Sequence, residues 1–139
     1  MEKVTYGTPT RFGYELLRDH VLPSILGTHE EDILYWLGKE LARKFPIFSL
    51  DELSSFFAEA GWGLLLIEKT SKHESFYTLK DDDEHLNIQE RNFQLEAGFI
   101  AEQHQKINGV LTECFGEKQV KSAGSHVLFH VKWDLKSKI

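Results

Sequence analysis

FQLEAGFIAEQHQKINGVLTECFGEKQVKSAGSHVLFHVKW, residues 93–133, holds a helix, its stop and a hairpin in one run. Phe93, Ala97, Ile100, His104, Ile107 and Leu111 recur at intervals alternating between four and three, the stripe that a helix lays against a core. Glu96, Glu102, Gln103, Gln105 and Lys106 fall between them and are expected to face water or the edge of the stripe. Asn108-Gly109 is a suitable helix stop because glycine takes the left-handed conformation without a Cβ clash, so Leu111 also fits the next strand. Val127, Phe129, Val131 and Trp133 then alternate with Leu128, His130 and Lys132, the two-residue period of a strand with one buried face.

The remaining chain supplies the partners. Thr8-Pro9 reads as a helix entrance, with Phe12, Leu16, Leu17 and Val21 facing inward until Pro23 ends the pattern. Thr28 with Glu31 resembles a capping box, opening a helix in which Ile33, Leu34, Leu37, Leu41 and Phe45 share a side and Trp36 lies on the flank. Pro46 breaks it. Ser49 with Glu52 repeats the capping signature before Leu53, Phe56, Phe57 and Ala60, and Gly61 stops that helix. The unalternating run Leu64-Leu65-Leu66-Ile67 predicts a central strand covered on both faces, and a turn at Lys72–Glu74 leads into Ser75–Leu79 as its hairpin partner. Asp81–Glu84 is too charged to bury and is expected as a solvated loop. Three helices, a hairpin, a long helix and a second hairpin predict an α+β fold: an antiparallel, four-stranded twisted sheet with helices mainly on one face.

At 139 residues and 41% hydrophobic content, residues 1–139 are expected to form a single domain. A net charge of −6 argues against a broad surface for nucleic acid, whose phosphates need clustered Lys and Arg. A lone Cys114, an N-terminus without a leader pattern and the lack of an apolar run near ~18 residues point to a cytoplasmic protein with no membrane span.

Reaction chemistry has little support. No His-Glu-x-x-His, paired-cysteine, nucleophile-elbow, P-loop or dinucleotide pattern occurs, so no metal, catalytic residue or cofactor is assigned. His126 and His130 share a strand face but lie about 13 Å apart, too far to chelate one ion, and read as exposed polar side chains. Asp81–Glu84 lacks the glycine and the closing glutamate of a calcium loop. Cys114 beside Glu113 and Glu117 reads as a buried structural thiol or, alternatively, as a modified one. His104 interrupts the apolar stripe; it is either a buried neutral histidine satisfied by a protein partner or a ligand contact.

Three segments carry a family resemblance. Tyr35-Trp36-Leu37-Gly38 with Leu41-Ala42, Gly61-Trp62-Gly63-Leu64-Leu65-Leu66-Ile67-Glu68, and Leu95-Glu96-Ala97-Gly98-Phe99-Ile100-Ala101 resemble, in that order, the superfamily of TRAPP vesicle-tethering subunits, vinyl-reductase-type domains and haem-based nitric oxide sensors. Over nearly its whole length, through Val131-Lys132-Trp133-Asp134, the chain resembles the YslB-like family of small proteins from Gram-positive bacteria. The resemblance implies a TRAPP-subunit-like fold and a binding or assembly module, with Gly98 letting its helix approach the sheet closely. No tyrosine begins the Tyr-x-Ser-x-Arg motif of the haem branch, and Gly124–Phe129 lacks the cysteines of the vinyl-reductase branch. Neither haem nor that metal is therefore expected.

The leading expectation is a non-catalytic module that holds an apolar small molecule between helices and sheet, with Trp62, Phe99 and His104 as ligand-binding residues. The alternative is a protein–protein interaction scaffold or homodimer without ligand, using aromatic residues such as Tyr14, Tyr35 and Trp36 near helix surfaces.

Overall fold

The computed structural model describes residues 10–81, 87–120 and 124–139. Helix α1 (Arg11–Glu15) runs through a π-helical stretch at Leu16–Val21 into α2 (Leu22–Leu26), and a 3-10 turn leads to α3 (Glu30–Lys44). A second 3-10 turn (Leu50–Glu52) opens α4 (Leu53–Glu59); β1 (Leu64–Thr70) and β2 (Glu74–Lys80) follow. The long helix α5 (Gln94–Asn108) then leads to β3 (Val110–Gln119) and β4 (His126–Lys138). All strand pairs are antiparallel and the sheet order is β1-β2-β4-β3, which brings the two hairpins together along β2 and β4 with Tyr77 opposite Phe129.

Helix α5 lies between the sheet and α3. Toward the sheet it meets the inward row Val127, Phe129 and Val131 of β4, all fully buried. Toward α3 it presents Gly98, where an added Cβ would sit 2.1 Å from the Tyr35 carbonyl oxygen; at Gly38 the added Cβ would sit 2.1 Å from that of Leu95. The two helix backbones are thus in reciprocal contact, which only glycine permits. Gly98 serves α3, not the sheet as the resemblance implied. Burial on both sides explains a second departure: every residue from Glu96 to His104 is buried, including Glu96, Glu102 and Gln103. Gly109 ends the helix in the left-handed region at φ 74°.

Polar groups forced inside must be paired. Glu96 accepts from Arg18 at 2.5 Å, and Arg18 also donates to the Asn92 carbonyl and the Tyr14 hydroxyl. Arg91 clasps Asp19 at 2.7 and 2.9 Å. These two ion pairs turn the polar side of the N-terminal helix inward. Phe12, Leu16, Leu17 and Val21, expected to face the core, are exposed instead, with Phe12 at 67%. Pro23 does not end this helix, because the wide π turn is followed by a new first turn where a residue without N–H is tolerated.

Other local expectations divide. Ser49 and Glu52 form the reciprocal capping box, but α3 begins at Glu30 with no side-chain cap from Thr28. Its buried row is Leu34, Gly38 and Ala42, rotated from the expected stripe, and Phe45 is exposed. Strand β1 is an edge, not a centre; only Leu65 is buried there, because helices cover one face and no strand follows on the far side among the described residues. Thr8, Pro9 and Asp82–Glu84 lie outside the described residues. No helix is long and apolar enough to cross a membrane among the described residues.

Alanine is normally favoured over glycine inside a helix by about 1 kcal/mol. Gly98→Ala and Gly38→Ala should each do the reverse, lowering unfolding free energy by about 2–3 kcal/mol through overpacking. Urea titration measures this, and an unchanged or raised midpoint would show that α3 and α5 do not meet through these backbones.

Candidate functional site

A cleft of about 330 Å³ opens where the C-terminal half of α5, the inner faces of β1, β2 and β4, and the turn before α4 converge. Its lining includes Leu50, Ile67, Tyr77, His104 and Trp133. Tyr77 reaches it because strand alternation places Tyr77 inward with Ser75 and Leu79. Trp133 continues the inward row of β4, and its indole N–H donates to the Lys72 carbonyl at 2.8 Å, which fixes the ring. His104 lies one turn beyond Ile100 and Ala101 on the same face of α5, in the last turns before the Gly109 stop.

The three rings form one unit. His104 and Trp133 stack with centroids 5.8 Å apart and planes inclined by 22°, while Tyr77 meets His104 edge-on at 5.7 Å. His104 Nε2 is 2.7 Å from the Tyr77 hydroxyl oxygen. Nδ1 is buried and, like Glu96 Oε2 and Arg91 Nη1, has no hydrogen-bond partner among the described residues. Burial lowers the pKa of His104 from 6.5 to about 4, so the imidazole is neutral near pH 7, and burial also raises the Tyr77 hydroxyl well above its ordinary value. Two neutral groups of this kind can orient a polar atom. They are poorly matched to proton transfer near neutrality, since neither pKa approaches the working pH.

Trp62 and Phe99 are placed elsewhere. Phe99 stacks on Phe56 at 4.3 Å and meets Trp62 edge-on at 5.4 Å, and Phe57 packs on Trp62 at 5.0 Å. This aromatic layer is closed packing, and neither residue lines the cleft beside His104. Tyr77 and Trp133 escaped the sequence reading as site residues. The alternation of each strand shows which way they point, but only the pairing of β2 with β4 places them side by side.

Other candidate groups are accounted for. Cys114 is buried opposite Val131, and burial, then nearby Glu113, push its thiol well above the ordinary value. It is a poor nucleophile. His126 and His130 are half-buried on the outer face of the sheet, not freely exposed; His130 bonds Glu74 at 2.7 Å and stacks on Phe76. Among the described residues no group of three or more His, Cys, Asp or Glu side chains is placed to hold a metal ion.

A four-stranded antiparallel sheet carrying helices is a fold that this chain shares with vinyl-4-reductase family and H-NOX proteins. A vinyl-4-reductase family protein from Methanocaldococcus jannaschii superposes with a TM-score of 0.61 at 20% identity, covering 96% of this chain and 85% of that one. An H-NOX protein from K. algicida gives 0.57 at 12% identity, covering 96% and 78%. The chain belongs to the family described as protein of unknown function DUF2507, whose pattern matches residues 11–132. It is 43% identical over 131 residues to the uncharacterized protein YslB of Bacillus subtilis, covering 92% of this chain and 87% of that protein.

The H-NOX likeness raises haem, which the residues around this cleft do not suit. The imidazole nitrogen Nε2 is already bonded to Tyr77, and among the described residues no Lys or Arg lines the cleft to receive propionates.

His104 should leave a signature in the pH dependence of stability. The unfolded chain protonates it near pH 6.5 but the folded protein only near 4, so the unfolded state binds the extra proton between these values. The stability contribution of the neutral ring is complete above the upper value and declines as pH falls toward the lower. From pH 7 to pH 4 the wild type should lose about 3 kcal/mol relative to His104→Leu. Denaturant titrations at several pH values test this, and parallel curves would refute a buried neutral imidazole.

Proposed function

We propose that this protein is a non-catalytic module that binds a small apolar molecule in the cleft between α5 and the sheet. One observation carries the proposal: the cleft of about 330 Å³ is walled by Leu50, Ile67 and Trp133, with Tyr77 and the neutral His104 imidazole among its few polar lining groups. Apolar walls around a small number of ordered polar groups are the usual lining of a small-molecule site. Of the three residues singled out by sequence, His104 touches the ligand, while Trp62 and Phe99 hold the aromatic layer that seats α5. The fold neighbours lend support at the level of scaffold, since one is an oxygen-binding H-NOX domain. The protein works without catalysis in the cytoplasm, where Cys114 remains a thiol.

Native mass spectrometry of protein purified from its natural source should show a reproducible added mass that denaturation releases. A clean apo mass, together with no uptake of a fluorescent apolar probe, would overturn the proposal.

A second reading, an interaction scaffold or homodimer, is favoured by the outward apolar stripe of the N-terminal helix: Phe12, Leu16, Leu17, Val21 and Ile25 are all exposed, with Ile25 at 72%. Sedimentation velocity should then show a dimer that Phe12→Glu with Ile25→Glu dissociates. A monomer at high concentration that recovers no partner in a pull-down would remove this reading.

A further inference from the structure

We infer that two copies of this chain pair through their N-terminal helices, antiparallel about a twofold axis that passes between Arg18 and Asp19. The inference rests on the homodimer reading above and specifies which faces meet and in what register.

The spacing of the apolar stripe carries it. Phe12, Leu16, Val21 and Ile25 are exposed and follow one another at steps of four, five and four residues. Five is the wrong step for an α-helix, which would carry Val21 about 140° around the axis from Leu16. The π-helical stretch Leu16–Val21 corrects this. The Leu22 N–H donates to the Leu17 carbonyl, five residues back, and the wider turn returns Val21 to the side of Leu16. The same stretch carries Arg18 to Glu96 and Asp19 to Arg91 on the inner side. One apolar row therefore runs the length of α1 and α2 on the open side.

That row is the same from either end. A second copy turned end for end sets Phe12 against the partner's Ile25 and Leu16 against the partner's Val21, and the contact holds in both directions, as an isologous interface requires. An unrelated partner would not call for a row symmetric about its middle. Charge agrees with a second copy as the occupant. None of the exposed positions from 11 to 26 is Asp, Glu, Lys or Arg, so two molecules of net charge −6 meet through a neutral strip. Area agrees as well. With Leu17 beside them, the four residues expose on the order of 500 Å² per copy, so two copies face to face cover about 1,000 Å², the threshold of a specific interface.

The test uses the full-length protein. Sedimentation velocity should show a wild-type dimer that Phe12→Glu with Ile25→Glu dissociates, because each glutamate then faces another. Phe12→Lys with Ile25→Glu sets unlike charges at both ends of the same pairing and should dimerise more than about tenfold more tightly than the double glutamate variant. Register is read with a short bismaleimide on cysteine variants, the native Cys114 being buried. An equimolar mixture of Phe12→Cys and Ile25→Cys proteins should cross-link, and either alone should not, since like positions stand about 20 Å apart along an antiparallel pair. Cross-linking of either variant alone, or equal dimerisation of the two charge variants, would overturn the antiparallel register and leave a homodimer standing. A wild-type monomer at high concentration would overturn the pairing altogether, and the scaffold reading would then survive only if another protein binds the wild type and not the double glutamate variant.

Discussion

Two helix backbones touch through glycines in this molecule, and that contact sets the conditions for everything around it. With Gly38 against the Leu95 carbonyl and Gly98 against the Tyr35 carbonyl, α3 sits so close to α5 that α5 has no solvent-facing side along its middle. A helix in that position must be apolar or must have each polar side chain answered by another part of the chain. Here it is the second. Glu96 is held by Arg18, Glu102 by Arg43 at 3.2 Å, and Gln103 accepts from the Ile47 backbone while donating to the Phe45 carbonyl at 2.8 Å. The buried polar groups of one helix thereby position the N-terminal helix and the α3–α4 connection.

The pairing is incomplete at Glu96, whose Oε2 has no partner, and again at His104. The histidine belongs to the same buried run as Glu96 and Gln103, yet only one of its two ring nitrogens has a partner. Near it the sheet also changes character. The inward row of β4 passes from Val131 to the half-buried Trp133, and the edge strand β1 leaves Ile67 exposed at 60%. A cleft forms where close packing ends, at the corner between the end of α5 and the open edge of the sheet. The functional reading follows from that location as much as from any single side chain.

The N-terminal helix shows the same logic from outside. Its charged side is committed to Glu96 and to the Arg91–Asp19 pair, so its apolar side has nowhere to go but outward. Removing either partner of a buried ion pair costs more than removing both, so this orientation resists inversion once α5 is in place. The exposed apolar stripe of this helix is thus the counterpart of its buried charge.

Periodicity was sufficient for whatever depends on neighbours along the chain. The α5 helix and its Gly109 stop, the alternation of β4, the Ser49–Glu52 capping box and the α+β class are all legible there, because hydrogen bonding within a helix and the two faces of a strand are local properties. His104 could be singled out for the same reason, as a polar break in an apolar stripe. Periodicity cannot say which face of a helix is covered twice, so it points Glu96, Glu102 and Gln103 to water or the edge of the stripe, and Phe12 and Leu16 to the core. Nor could it tell an edge strand from a central one at Leu64–Ile67, or set Tyr77 and Trp133 beside His104. Those outcomes depend on which elements meet across tens of residues. That is decided by the glycine contact and strand order, where steric fit and the pairing of buried charge act together.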